Sequence, residues 1–227
     1  MKNTQRILCA LGLFFSVSSV WAAAVKVELA DVEIDKSYEA AKRGAETVMT
    51  LCMSCHSLKY IRYKHLMDIG YSEDEVNAVR GANDMEAPLM AMMPPAGAKA
   101  AFGMVPPDLS LMAKARVGGA LYVYTLMAGY YTDENDQVDN HAMPGTKMPD
   151  VFGYASLKGA DRQAAEQKIH DVASFLHWTQ DPKEKERHEL GKYVLGYLVL
   201  LSILAYLLKK AVWARIKGRT HPWPDKH

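Results

Sequence analysis

The sequence predicts a mainly α-helical domain with long loops, followed by one C-terminal transmembrane helix. Three observations lead to this prediction: two segments with apolar residues at helical spacing, proline-rich connections between them, and an uncharged apolar run near the C-terminus. Of the 227 residues, 49% are apolar, which suits one soluble domain with a membrane segment. The sequence shows no internal repeat and no alternating strand pattern of convincing length.

The two helical segments run from Ser37 to Met53 and from Asp161 to Trp178. Gly44 lies inside the first segment, where glycine lowers helix propensity, so we expect a close contact with another helix there. The second segment ends before Asp181-Pro182, a helix-breaking pair. Long irregular connections of the kind found between them need something to pack around, and a cofactor is the obvious candidate.

The N-terminus reads as a cleaved secretory signal peptide, residues 1–22. Lys2 and Arg6 precede an apolar stretch from Ile7 to Val20, and Val20-Trp21-Ala22 offers a small-residue cleavage site. The alternative is an uncleaved anchor, but the short apolar run and the alanine-rich exit favour cleavage. Removal takes Cys9 with it and leaves two cysteines in an exported domain, residues 23–189.

The second apolar run, Tyr193 to Leu208, predicts a membrane span over residues 190–210. Its 16 uncharged residues fall slightly short of a hydrocarbon core of about 30 Å, and flanking lysines can reach the interfaces. A buried core helix is the alternative, and three features together disfavour it: apolar residues on all sides, the flanking lysines, and a position after the acidic domain.

The signal peptide mainly predicts the orientation of the chain, because it directs the domain that follows out of the cytoplasm, and the distribution of positive charge agrees only weakly. Residues 23–190 hold 18 Lys and Arg against 25 Asp and Glu, whereas residues 191–227 hold seven against one. We therefore expect an acidic domain on the periplasmic side of a bacterial inner membrane and a basic cytoplasmic tail, residues 211–227. The overall net charge of +1 gives no indication of a nucleic-acid partner.

Both remaining cysteines belong to Cys52-x-x-Cys55-His56. A thioredoxin-type dithiol needs a βαβ setting, and the flanks here are helical. A structural zinc site needs four ligands, and this motif supplies three. Covalent haem needs two thiols on one turn and a histidine directly after them, so the motif predicts one c-type haem with His56 as the fifth iron ligand.

The sixth ligand is expected to be a methionine, a histidine or nothing; a thioether suits electron transfer and an open position suits ligand binding or catalysis. Met143 and Met148 lie in a Pro/Gly-rich loop before the last soluble helix, and both are candidates. Met92, Met93 and Met104 are less suitable, because they lie in or near the proline-rich middle segment.

Specific landmarks resemble the cytochrome c1 family, the haem subunits of the cytochrome bc1 complex, over roughly Ser37 to Lys210. They are Arg43-Gly44, Cys52-x-x-Cys55-His56-Ser57-Leu58, Tyr63-x-His65-Leu66, Tyr71-x-Glu73-Asp74-Glu75, Pro106-Pro107-Asp108-Leu109-Ser110, Ala115-Arg116-x-Gly118-Gly119, Tyr122-Val123, Gly129-Tyr130 and Phe175-Leu176-x-Trp178. The resemblance implies a class I cytochrome c-like haem domain and a structural role for His65. It leaves the segment Asp84 to Phe102 unassigned.

The resemblance also implies roles for individual residues. Met148 best matches the family's ligand after a Pro-Gly turn, although the family commonly has Met-Ala-Pro-Pro where this chain has Met148-Pro149-Asp150, so Met143 stays an alternative. Contacts with the haem propionates are implied for Arg116 and Tyr122. The remaining two implied residues, Pro106 and Pro107, would line the haem face.

The function implied is electron relay from a Rieske iron–sulfur protein to a cytochrome c, beside cytochrome b in a quinol–cytochrome c reductase. The chain would not be an enzyme by itself. Two alternatives remain: an anchored cytochrome c of another pathway that donates to a terminal oxidase, and a haem enzyme with an open sixth site. A basic cytochrome c would be steered towards a cluster of acidic residues before the proposed ligand, namely Asp133, Glu134, Asp136 and Asp139.

Overall fold

The computed structural model describes residues 27–216, so the predicted signal peptide and the chain beyond residue 216 lie outside the described residues. The described part is mainly helical, as predicted. Its α-helices are α1 (Tyr38–Thr50), α2 (Glu73–Arg80), α3 (Pro95–Phe102), α4 (Met112–Ala115), α5 (Ala120–Met127), α6 (Gly159–Thr179) and α7 (Glu184–Ile216). Two 3-10 helices, Cys52–Ser54 and Tyr63–Ile69, and the strands β1 (Leu58–Arg62), β2 (Pro88–Leu89), β3 (Tyr130–Thr132) and β4 (Val138–Asn140) complete it.

Helices α1 and α6 pack against each other at the centre of the domain. Helix α1 begins where the Ser37 hydroxyl accepts a hydrogen bond from the backbone N–H of Ala40. The predicted close contact at Gly44 is confirmed, because a Cβ there would lie 1.9 Å from the backbone oxygen of Asp171. Glycine therefore sets the distance between the two helices.

An ion pair crosses the same interface. Asp171 is 5% exposed, and its two carboxylate oxygens accept hydrogen bonds of 2.9 and 2.8 Å from the guanidinium of Arg43. A buried carboxylate is costly unless it is paired and hydrogen-bonded, and this bidentate pair meets both needs. The Arg43-Gly44 pair thus joins α1 to α6 through one residue of α6.

Helix boundaries differ from the predicted ones by a few residues, for example at the end of α1 and at the start of α7. Helix α1 ends at Thr50 rather than Met53, because the chain tightens into the 3-10 helix Cys52–Ser54. Helix α7 begins at Glu184, well before the apolar run, and follows a break at Asp181-Pro182. One helical segment of the described residues is long and apolar enough to cross a membrane, with mean hydropathy 1.8 and none of that stretch buried.

Short strands in the middle of the chain were not predicted. Strands β1 and β2 pair antiparallel, and β3 and β4 form a hairpin in which Tyr130 lies opposite Asn140. At two to five residues each, these strands are too short to show an alternating pattern. The unassigned segment Asp84 to Phe102 contains β2 and α3, which begins with a proline at its first position.

Candidate haem site

The Cys52–His56 segment is a single tight turn. The backbone N–H groups of Cys55 and His56 both donate to the carbonyl oxygen of Cys52, at 3.1 and 2.8 Å. Both cysteines are free thiols, Cys52 buried and Cys55 half-buried. Burial, with a smaller contribution from Cys55, raises the pKa of the Cys52 thiol to about 11. Two thiols and an imidazole therefore lie on one turn, as covalent haem attachment requires.

His56 is oriented by a backbone carbonyl. Its Nδ1 lies 2.7 Å from the carbonyl oxygen of Pro107. Because a carbonyl can only accept, Nδ1 must carry the proton of the neutral ring, and Nε2 presents its lone pair. A hydrogen bond from the second ring nitrogen is the usual way in which a protein fixes a metal-binding histidine.

The segment that carries Pro107 is itself tied to the chain that follows His56. Leu109 donates its backbone N–H to the carbonyl of Ser57 at 2.8 Å. The Asp108 carboxylate accepts from the backbone N–H of Lys59 at 2.9 Å. These bonds hold the Pro107 carbonyl against the His56 ring, which gives the family landmark around Pro106-Pro107 a structural reason.

The methionine-rich segment reaches the same turn, which the sequence did not predict. Backbone N–H groups of Met92 and Met93 donate to the carbonyl oxygens of Met53 and Ser54, at 2.8 and 3.1 Å. These carbonyls belong to the two residues between the cysteines. The contact uses only backbone C=O and N–H groups. Every residue has these groups, except that proline lacks the N–H, so residue types do not predict the contact.

Met148 is held on a separate part of the fold. Its side chain is partly buried against the core, whereas Met143 is 43% exposed. The hydroxyl of the buried Tyr130 donates to the Met148 carbonyl at 2.8 Å. Within residues 27–216, no hydrogen bond or ion pair joins this loop to the Cys52–His56 turn. Burial favours Met148 over Met143 as a fixed ligand.

The two residues implied for the propionates lie beside each other. The guanidinium carbon of Arg116 is 6.0 Å from the ring centroid of Tyr122. Arg116 is exposed, and Tyr122 and Pro106 are half-buried. His65 lies elsewhere: its Nδ1 accepts from the backbone N–H of Arg62 at 3.1 Å, which agrees with a structural role.

The donor set fits a c-type haem better than a bare metal ion. In residues 27–216, no group of three or more His, Cys, Asp or Glu side chains could hold a metal ion. The turn instead combines two adjacent thiols with an imidazole whose Nε2 is available, and a half-buried thioether is fixed on another loop. These are the groups that covalent haem with two axial ligands uses.

Comparison with known proteins adds independent support. The Cytochrome C1 family matches residues 33–216. The chain is 30% identical to cytochrome c1 of Allochromatium vinosum, over 92% of this chain and 98% of that protein. It is 29% identical to cytochrome c1 of Rhodospirillum rubrum, over 78% and 81%. A protein of Nitrosomonas europaea named ammonia monooxygenase gamma subunit is also 29% identical, over 95% and 100%.

The family match covers both the helical domain and the apolar C-terminal helix, which together make up most of the chain. It confirms the resemblance seen in the sequence landmarks. Proteins of this family are haem-binding c-type cytochromes of electron transport, and the cofactor here is one covalently bound haem c. The chain belongs to the cytochrome c1 family.

Proposed function

We propose that this chain relays electrons from a Rieske iron–sulfur protein to a cytochrome c, as the membrane-anchored haem subunit of a quinol–cytochrome c reductase. The observation that carries the proposal is the extent of the family match, which spans the haem domain and the anchor helix together, residues 33–216. Cytochrome b and the Rieske protein are the partners this implies. The chain is not an enzyme by itself, because its task is to hold the haem and dock its partners.

Within the proposed site, the haem supplies a reversible one-electron change at its iron, and the protein binds and orients it. Cys52 and Cys55 would hold the haem through thioether bonds, and His56 would be one protein ligand of its iron. Met148 would be the other, with Met143 as the alternative. Arg116 and Tyr122 bind the propionates, where the guanidinium can pair with a carboxylate, and Pro106 and Pro107 line the haem face.

Helix α7 anchors this site to the membrane. Its 33 residues span about 50 Å at 1.5 Å per residue, which exceeds a hydrocarbon core of about 30 Å. Its charged first turns therefore lie outside the lipid, and they touch the haem domain where Lys185 sits 4.0 Å from the ring centroid of Tyr38. We place the haem domain on the periplasmic side of a bacterial inner membrane, with the C-terminus in the cytoplasm.

The acidic cluster proposed for docking lies on the β3–β4 hairpin, with Asp133, Glu134 and Asp136 in the turn and Asp139 in β4. Asp133 Oδ1 accepts the backbone N–H groups of Asn135 and Gln137, and Asp139 Oδ1 accepts that of Gly145. Asp133 therefore shapes the turn and Asp139 ties β4 to the methionine-bearing loop, whereas Glu134 and Asp136 are exposed. A basic cytochrome c would be attracted to this charge, which raises the association rate more than the affinity.

The docking proposal is tested by the double variant Glu134→Gln/Asp136→Asn. Asparagine suits position 136, because this residue has a positive φ of 56°. We expect a lower rate of electron transfer to a basic cytochrome c and a weaker dependence of that rate on salt. Glu73→Gln/Asp74→Asn, on the exposed start of α2, is the control with the same charge change. Equal effects of both variants, or a salt-independent wild-type rate, would contradict docking at this loop.

Purification in mild detergent tests the proposed complex. Recovery of this chain with a cytochrome b and a Rieske protein supports the proposal, and recovery without them contradicts it.

The relative named as an ammonia monooxygenase subunit favours a second candidate, an anchored cytochrome c of another pathway, which would purify alone or with other partners. Rapid CO binding by the reduced protein, without a methionine–iron absorption band in the oxidised form, would indicate the open site of a haem enzyme.

A further inference from the structure

A buried tyrosine reaches the backbone of the proposed sixth ligand. Tyr130 begins β3 and is 5% exposed. Its hydroxyl donates to the carbonyl oxygen of Met148 at 2.8 Å, although the two residues are 18 positions apart. The bond therefore joins the hairpin to the far end of the loop that carries both candidate methionines.

The hairpin also holds the near end of this loop. Asn140 lies opposite Tyr130 in the β3–β4 ladder and is fully buried. Its Oδ1 accepts the backbone N–H groups of Ala142 and Met143, at 2.9 and 3.1 Å. One cross-strand pair thus clamps the loop at both ends, Asn140 beside Met143 and Tyr130 at Met148.

Contacts inside the loop are weaker anchors for Met148. The backbone N–H of Met148 donates to Thr146 Oγ1 at 3.3 Å, a long hydrogen bond. The next residue, Pro149, has no N–H to donate. Gly145, three residues before Met148, has a positive φ of 71°, and its backbone N–H donates to Asp139 Oδ1 at 2.7 Å, which does not reach the Met148 backbone. Among residues 27–216, Tyr130 is the only residue outside the loop that hydrogen-bonds the Met148 backbone.

A thioether ligand depends on such an anchor more than an imidazole does. Methionine is unbranched, with three rotatable side-chain bonds. Its sulfur is an uncharged and weak ligand. It therefore needs a backbone that is held close to the position required for binding, and a mobile backbone would leave the iron without its sixth ligand. An anchored backbone reduces the conformational freedom that must be lost when sulfur binds iron.

We propose that Tyr130 is a positioning residue for the sixth iron ligand: its hydroxyl fixes the Met148 carbonyl and so keeps the thioether at the iron. This rests on the proposed role of Met148 in the electron relay. Tyr130 itself does not contact the iron or react. Its removal leaves the ligand chemically present but less firmly held.

The test compares Tyr130→Phe with Tyr71→Phe in the full-length haem-loaded chain in detergent. Tyr71 is a matched control, since it is 7% exposed and its hydroxyl also donates to a backbone carbonyl, that of Lys42, at 3.2 Å. Imidazole is titrated into the oxidised protein, where it competes with the thioether for iron. The long-wavelength charge-transfer band of methionine–iron ligation is recorded in parallel.

We expect Tyr130→Phe to bind imidazole roughly fivefold more tightly than wild type, which corresponds to the loss of one hydrogen bond. The charge-transfer band should weaken in Tyr130→Phe and stay unchanged in Tyr71→Phe. Equal imidazole affinity in Tyr130→Phe and wild type would overturn the inference, and so would an equal change in Tyr71→Phe, because that indicates general loosening of the fold.

Met148→Leu separates this inference from the assignment beneath it. If Met148→Leu abolishes the band while Tyr130→Phe behaves as wild type, the ligand assignment stands and the role of Tyr130 is wrong. If Met148→Leu keeps the band, both the ligand assignment and this inference are wrong. Co-purification with cytochrome b is unaffected by either result, so the electron-relay proposal is judged separately.

Discussion

The Nδ1 of His56 lies 2.7 Å from the carbonyl oxygen of Pro107, which is 51 positions away in the chain. This hydrogen bond fixes the ring tautomer and leaves Nε2 available for iron. Because the acceptor belongs to the backbone, its position depends on what holds the 107–110 segment. The two oxygens of Asp108 do so, by accepting from the backbone N–H groups of Lys59 and Ser110, each at 2.9 Å.

Asp108→Ala should therefore weaken the orientation of His56 without touching the ring. Loss of two hydrogen bonds to a carboxylate should lower the free energy of unfolding by roughly 2–3 kcal/mol. A ring whose Nδ1–H loses its acceptor is a less basic ligand and favours ferric iron less, so the reduction potential should rise. A redox titration measures the shift. Asp84→Ala is the control, because it removes a carboxylate that accepts the Glu86 N–H; an equal rise in potential there would contradict the prediction.

Replacement of both cysteines tests the attachment site. In the Cys52→Ser/Cys55→Ser variant, haem should no longer remain on the polypeptide after denaturation, since serine cannot form the thioether bonds. Haem staining of a denaturing gel measures this directly. Each single variant keeps one thiol and should retain some covalent haem. Full retention by the double variant would place the attachment elsewhere in the chain.

The two methionine candidates should respond differently to substitution by leucine. Met148→Leu should lose the methionine–iron charge-transfer band and show a lower reduction potential, because a thioether ligand raises that potential. Met143→Leu should keep both near the wild-type values, since this side chain is 43% exposed. Absorption spectra of the oxidised proteins distinguish the two cases, and the reverse pattern would make Met143 the ligand.

Gly44→Ala should destabilise the domain severely. The added Cβ would lie 1.9 Å from the Asp171 backbone oxygen and 2.9 Å from the Cβ of Phe175, so α1 and α6 would have to separate. Overpacking of this kind costs roughly 1–3 kcal/mol or more. Thermal unfolding measures the loss of Tm. Gly97→Ala in α3 is the control and should unfold near the wild-type Tm, because the nearest atoms are side-chain carbons of Met93 and Pro94 at 3.7 Å, an ordinary van der Waals contact. Equal Tm values for both variants would contradict the predicted clash.

Alkaline pH should reveal the buried state of Tyr130. Burial first, and then the negative charge of Asp150, raises the pKa of Tyr130 to about 12. The unfolded chain ionises this hydroxyl near its ordinary pKa of about 10. Between these two pKa values the folded state keeps a proton on Tyr130 that the unfolded state has lost. The stabilising contribution of Tyr130 is therefore complete below about pH 10 and is lost as the pH rises through about 12.

Chemical unfolding across this pH range measures the effect. Wild type should lose roughly 2–3 kcal/mol more unfolding free energy than Tyr130→Phe between about pH 10 and 12. The difference between the two proteins isolates Tyr130 from the other tyrosines. Parallel curves for the two proteins would show that Tyr130 does not differ in ionisation between the folded and unfolded states.

Local patterns in the sequence predicted much of this protein. Cys52-x-x-Cys55-His56 indicated covalent haem because all three groups lie within one turn, whatever surrounds them. Apolar periodicity predicted α1 and α6, and the uncharged run predicted a span inside α7, since these elements are defined by residues close in sequence. The short strands escaped prediction because two to five residues give no measurable period.

Only the tertiary structure decided how the site is held together. The contacts of His56 with Pro107, of Tyr130 with Met148, and of Met92 with Met53 each end on a backbone carbonyl. Every residue carries such a carbonyl, so the type of the accepting residue does not reveal the contact. The residues joined are also 18 to 51 positions apart. The sequence by itself determined which groups are expected to bind the haem, because they form a local pattern. The packing of distant segments determined which backbone carbonyls orient those groups.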